Sequence, residues 1–183
     1  MDPVARIEAA LENTQKIVAG VKEDQLSKPT PCSEFDVRLL LNHMLGGLDM
    51  LRQAASGEAA TMPEGDQFGA DPGKEYAERA AKLLEAVRAP GALDGTWKMP
   101  FGELPAQMMA SIAFVEHVTH GWDLAKATGQ DTTIPDGLLK EATEVVTPMD
   151  AMWRMPGVCG PKVDVPDDVS ATDKYAAFMG RQP

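Results

Sequence analysis

The sequence predicts an all-α protein: a four-helix bundle with additional short helices and one long surface loop. Three observations carry this. Apolar residues recur at spacings of three and four along several long stretches. Clusters of Gly and Pro separate those stretches. One stretch, Leu104 to Trp122, holds a single charged residue, Glu116, and is apolar nearly all round, as the central helix of a bundle is.

The first helix opens on Asp2 as N-cap with Pro3 at the first helical position. Val4, Ile7, Leu11, Thr14, Val18 and Val21 give it one apolar face and carry it to about Val21. "SKPTPCSEF" is a Pro-rich connection, and a second helix follows from about Asp36 to Ser56, ended by Gly57. Residues 58–73, rich in Gly, Pro and Asp, form the long surface loop. A third helix runs from about Lys74 to Arg88, where "APG" stops it. "GTWKMPFGELP" forms either a short hairpin or an irregular excursion. The fourth helix spans about Pro105 to Thr128 before Gly129, and the fifth about Pro135 to Val146. "MPGVCGPKVDVPDD" is loop, and Ser170 to Met179 a short closing helix. No internal repeat or linker divides the chain, so residues 1–183 are expected to form a single domain.

A formal net charge of -11 argues against a nucleic-acid partner, which needs clustered Lys and Arg. No uninterrupted apolar run reaches the roughly 18–20 residues of a membrane span. The start "MDPVARIEAAL" lacks the basic opening and continuous apolar core of a secretory signal, so a cytoplasmic protein is expected. Cys32 and Cys159 have no neighbour at metal-ligand spacing, and packing is the expected role of both.

The chemistry concentrates in "SIAFVEHVTHGWDLA". Glu116 and His120 are four apart and share one helix face with Met109, Ala113, Asp123 and Ala127. A carboxylate pointing into a bundle must neutralise, pair or bind a metal. No Lys or Arg lies within reach along this helix, which leaves a Glu116–His120 pair or a shared cation. On the second helix, His43 lies roughly 120° from the polar side formed by Arg38, Asn42, Asp49, Arg52 and Gln53, and so also faces inward. His43, Glu116 and His120 together make a His/His/Glu set that leaves an open coordination position, as catalytic zinc requires. Satisfied core histidines and an ordinary Glu–His pair are the alternatives. His117 points about 100° away from Glu116, toward the helix surface or a supporting position, and is not expected to be a ligand. Asp123 either accepts the other ring N–H of a ligating His120 or is a solvated or locally paired carboxylate. Trp122 reads as core.

At these residues the chain resembles a known group. "TPCSEFDVRLLLNHMLGG" and "EHVTHGWDLAKATGQ" are similar to the DinB/YfiT-like superfamily, and most to its actinobacterial metal-binding branch, related to the N-terminal domain of mycothiol-dependent maleylpyruvate isomerase. The closing "PGVCGPKVDVPDDVSATDKYAAFMGRQP" resembles that branch too. The chain departs from it at Phe35, where members often have Trp, and at Cys159, where they often have Phe. The resemblance implies a four-helix bundle that holds zinc, or else nickel, through His43, Glu116 and His120. It implies a low-molecular-weight thiol as co-substrate, mycothiol in this branch, and a small-molecule electrophile as the other partner. A homodimer is open. The expected function is thiol S-transfer; a metal-dependent hydrolase on the same residues and a non-catalytic metal or small-ligand binder are the rivals. The isomerase carries an additional C-terminal domain that these 183 residues do not contain, so isomerase activity itself is not expected.

Overall fold

The computed structural model describes residues 1–155 and 157–183. Helix α1, Pro3–Ala19, starts as its sequence dictates: Asp2 Oδ1 accepts from the backbone N–H groups of Val4 and Ala5, both at 3.1 Å. Helix α2, Val37–Ala55, is capped by Asp36, whose carboxylate accepts from Leu39 N at 2.8 Å. Helix α3, Pro72–Arg88, begins two residues before the expected Lys74, because Asp71 supplies the cap and Pro72 fits the first position. Helix α4, Ala106–Thr128, is closed by Gly129 in the left-handed conformation at φ 73°. Then come α5, Asp136–Val146, the short α6, Asp150–Trp153, and α7, Ala171–Phe178, capped by Ser170.

Of the two readings of "GTWKMPFGELP", the hairpin is realised. Strand β1, Thr96–Met99, pairs antiparallel with β2, Gly102–Pro105. Trp97 anchors it: the indole is buried and donates to Ala92 O at 2.8 Å. The turn after α5 and the helix α6 were not expected from the sequence; Pro148 sits in the opening of that turn, where its missing N–H costs nothing. The expected tail loop is otherwise observed, apart from Pro156, which lies outside the described residues.

The bundle pairs α1 with α4 and α2 with α3, and closes through α1 against α3 and α2 against α4. α4 is buried along almost its whole length, with Phe114, Val118, Trp122 and Leu124 in the core. The 58–73 segment is more than surface. Asn42 holds it on α2, donating to Asp66 Oδ1 at 2.9 Å and accepting from Gln67 N at 2.7 Å. Among the described residues no helix is long and apolar enough to cross a membrane.

α1 and α4 approach closely at Gly121. A Cβ there would meet Thr14 Oγ1 at 2.9 Å, and that hydroxyl already donates to His117 O at 2.8 Å. Helix propensity favours Gly121→Ala by roughly 1 kcal/mol, whereas overpacking at a fixed crossing costs about 1–3 kcal/mol. Overpacking wins here because the obstructing atom is tied. Gly121→Ala is therefore expected to lower the melting temperature, and adding Thr14→Ala to restore part of it. Thermal denaturation of the two single variants and the double variant checks this; strict additivity would show that the two sites do not touch.

Candidate metal centre

α2 and α4 bring His43, Glu116 and His120 together. Glu116 Oε2 lies 3.3 Å from His43 Nε2 and 3.3 Å from His120 Nε2, and the three ligating atoms all fall within 4.8 Å of one another. The two imidazoles meet edge to face with centroids 5.2 Å apart. Phe35 stacks on His43 from the outer side, with centroids 5.2 Å apart and planes 23° from parallel. Two imidazole nitrogens and one carboxylate oxygen are the donors a divalent ion of the zinc type takes. The two Glu–His spacings of 3.3 Å match edges of a tetrahedron with bonds of about 2.0–2.1 Å. The residues fit such an ion.

The inward orientation holds, but full burial of Glu116 does not. Its side chain is 38% exposed, because this face of α4 fronts a pocket of about 400 Å³ rather than packed side chains. The apolar pattern of α4 reflects the walls of that pocket as well as the core. Around the three donors the walls are apolar, with Met44 and Met50 on α2, Met109 on α4 and Met62 from the 58–73 segment. Burial pushes the Glu116 carboxyl up, but the charge and hydrogen bonds of His120 and His43 outweigh it and hold the group well below the usual carboxylate range. Burial pushes His120 down, and the Glu116 charge together with the Asp123 hydrogen bond outweighs that, raising it to about 9. Glu116 and His120 thus form an ion pair.

Asp123 is no solvated carboxylate. It is completely buried, and its Oδ2 lies 3.0 Å from His120 Nδ1. That contact keeps Nδ1 protonated and leaves Nε2 to face Glu116. Sequence reasoning missed the partner that makes this burial tolerable. Arg181, 58 residues away and 5% exposed, donates from Nε to Oδ1 at 3.1 Å and from Nη2 to Oδ2 at 2.9 Å. Burial pushes Asp123 up, and the hydrogen bonds from His120 and Arg181 bring it below the ordinary value. No local signal names Arg181: Lys126, three residues on, turns over the Trp122 ring instead, and His120 alone on α4 meets the Asp123 carboxylate.

His117 corrects an expectation. It is 4% exposed rather than on the helix surface, and its Nδ1 lies 2.9 Å from the Tyr76 hydroxyl of α3. Burial pushes its pKa down to about 3, so it is a neutral core imidazole. Cys32 and Cys159 are half-buried. Burial pushes the Cys32 thiol up to about 11. Its sulfur forms a second close group with His120 and Asp123, whose facing atoms are already bonded to each other and to Arg181. Cys159 Sγ accepts from Arg181 Nη1 at 3.6 Å. Raised pKa values keep both thiols protonated at neutral pH and poorly nucleophilic.

Two outcomes follow from these environments. Arg181→Met strands the Asp123 charge in the core, a change that typically costs about 3–5 kcal/mol. Adding Asp123→Asn should recover much of the loss, as read by urea unfolding; no recovery would mean that Arg181 matters only for packing. For His117, the folded pKa lies below the unfolded one, so its contribution is present above pH 6.5 and is lost as pH falls toward 3. In chelated protein, between pH 7.5 and pH 5, the native chain should lose on the order of 2 kcal/mol more stability than His117→Gln, which keeps an acceptor for Tyr76. Parallel pH curves for the two proteins would contradict a neutral buried imidazole.

The family model described as the mycothiol maleylpyruvate isomerase N-terminal domain matches residues 7–125. Two uncharacterized proteins of Mycobacterium tuberculosis, from strains CDC 1551 / Oshkosh and ATCC 25618 / H37Rv, are each 35% identical to the chain over 190 residues, covering 99% of it and 98% of the relative. Among solved structures, the crystal structure of the mycothiol-dependent maleylpyruvate isomerase and that of one of its mutants share the fold. Their TM-scores are 0.54 and 0.59 at 15% and 14% identity, with 82% of this chain and 71% of theirs covered. Residues 7–125 carry α2, most of α4 and all three converging donors, and the chain belongs to the mycothiol maleylpyruvate isomerase N-terminal domain family.

Proposed function

We propose that the protein is a metal-dependent thiol S-transferase, with His43, Glu116 and His120 holding a divalent ion and a low-molecular-weight thiol, mycothiol or a close analogue, as co-substrate. The observation that carries this reading is the open side of the three-donor cluster, which faces a pocket instead of a fourth protein ligand. Zinc suits the donor set best, and nickel also accepts imidazole. The solved relatives are named for mycothiol dependence, which supports the choice of thiol. A reducing cytoplasm is the setting that suits such a co-substrate.

When bound, the ion supplies Lewis acidity that lowers the pKa of a ligating thiol and makes a nucleophile at neutral pH. The chain does the rest. Asp123 fixes the His120 tautomer, and Arg181 fixes Asp123. Phe35 holds the plane of His43. Glu116 contributes one negative charge, and the pocket presents apolar walls to the approach. The thiol proton leaves through the pocket mouth. The sulfur forms a C–S bond to the electrophilic carbon; a leaving group departs with its electron pair or, in conjugate addition, the displaced π pair takes up a proton at the neighbouring carbon.

Purified protein is expected to contain about one divalent ion per chain. His43→Ala should lower metal content sharply and Glu116→Gln should abolish most turnover. His117→Ala should leave metal content nearly intact, and Cys32→Ser and Cys159→Ser should keep activity. Free metal at 100-fold over its dissociation constant stabilises by about 2.7 kcal/mol, so chelation should lower the melting temperature without unfolding the bundle. Thiol should perturb the visible spectrum of a cobalt-substituted sample. Equal substrate consumption without thiol, combined with an unperturbed cobalt spectrum, would replace this reading with a hydrolase; no turnover of any electrophile would leave a binding protein.

A further inference from the structure

The space in front of the three donors has a definite chemical character. Its side walls carry four methionines, Met44, Met50, Met62 and Met109, with Leu51 and Ile112 between them. At its mouth stand Phe101, on the turn between β1 and β2 and 67% exposed, and Val158 from the tail. Among the described residues its acidic lining side chains are Glu34 and Glu116, no Lys or Arg lines it, and the His120 cation is already spent on Glu116 and Asp123. Arg181, the buried guanidinium behind His120, is spent on Asp123. A volume of about 400 Å³ suits a small organic molecule.

These features select a ligand. A carboxylate entering an apolar cavity loses hydration and needs a cation in return. The walls offer none that is not already paired with a carboxylate. Glu116 and an incoming thiolate together match the two charges of a divalent ion, so little surplus remains there for a dianion. The net charge of -11 opposes approach of anions as well. Apolar surface, by contrast, gains on burial against these walls, and thioether side chains adjust to differing shapes.

Resting on the thiol-transfer reading, we infer that the pocket before His43, Glu116 and His120 takes a neutral, apolar electrophile and turns away dicarboxylates. Its specificity-determining residues are the wall side chains, with Ile112 and Phe101 at the positions where a substitution changes charge without entering the core. Phe101 is solvent-facing apolar surface that a bound apolar molecule would cover.

Binding tests this independently of turnover. Succinate and diethyl succinate share a carbon skeleton, lack a reactive centre and differ in charge. Titrated by calorimetry into the full chain, metal-free and zinc-loaded, the diester is expected to bind at least about ten-fold tighter than the dianion, a difference of about 1.4 kcal/mol. Ile112→Lys should weaken the diester, strengthen succinate and so narrow the ratio. Phe101→Arg, on an exposed turn, provides the same test should Ile112→Lys fail to fold. Succinate binding as tight as the diester in the metal-free chain, no diester binding at all, or a ratio unchanged in the folded variants each overturns the inference. A second assay separates the two readings. If diethyl maleate and thiol show no accelerated conjugation while the diester preference persists, thiol transfer falls and the ligand class stands.

Discussion

A fully buried carboxylate on the central helix sets the terms for the rest of the structure. Asp123 lies on a helix that packs on nearly every side, and an unmatched charge there would cost several kcal/mol. The cation that matches it comes from the last residues of the chain. Arg181 is held by its own backbone N–H donating to Ala176 O at 2.9 Å and by its guanidinium donating to Met179 O at 2.8 Å. α7 is tied in turn to α4, where the Thr119 and Tyr175 hydroxyls lie 2.9 Å apart. Docking Arg181 therefore brings the tail with it. Cys159 reaches the same guanidinium, Val163 N donates to Ala177 O at 2.9 Å, and Gly157 and Val158 arrive at the pocket mouth. The same segment that neutralises Asp123 in the core also completes the pocket mouth.

From that pairing the roles along "EHVTHGWD" separate by helix phase. Glu116 turns to the pocket and to His43 on α2. His117 turns to Tyr76 on α3. Thr119 turns to α7, His120 to Asp123, and Gly121 to the α1 crossing. Each residue thus commits to a different neighbour. This explains how a largely apolar helix accommodates two carboxylates and two imidazoles. Glu116, His120 and Asp123 share a face and pair along α4, while His43, Tyr76, Tyr175 and Arg181 complete the polar partners from the elements that surround it.

Much of this was legible in the sequence because it is local. Asp2, Asp36 and Ser170 state helix starts outright, and Gly129 states an end. Period and phase place Glu116 and His120 on one face and His43 on an inward arc, and the three do meet. What was not legible depends on tertiary partners. The phase that sends His117 away from Glu116 does not say whether solvent or α3 lies in that direction. Glu116 looks buried from its neighbours in sequence, yet the pocket beside it is a gap between elements, which no local pattern encodes. Arg181 lies 58 residues from Asp123, so only the demand for a cation was visible and not its source. The hairpin was ambiguous for the same reason: Trp97 fixes it through the carbonyl of Ala92, in the turn before it.

The division of labour between helices and loops has a mechanistic consequence. The three donors sit on α2 and α4, two rigid elements locked by core packing and by the Asp123–Arg181 pair. The pocket mouth is built from less constrained parts: the turn bearing Phe101, the 58–73 segment bearing Met62, and the tail bearing Val158. A donor set must be held to within a fraction of an ångström to keep its geometry, whereas an apolar wall tolerates shifts and volume-preserving substitutions at small cost. The donor cluster and the pocket walls can therefore vary independently in this architecture. A change at Phe101 or Met62 alters which molecule is covered and leaves the donors in place, while a change at Asp123 or Arg181 disturbs His120 from behind without touching the ligand. Conversely, family membership speaks most directly to the helical frame, and the side chains of the mouth decide how this chain uses it.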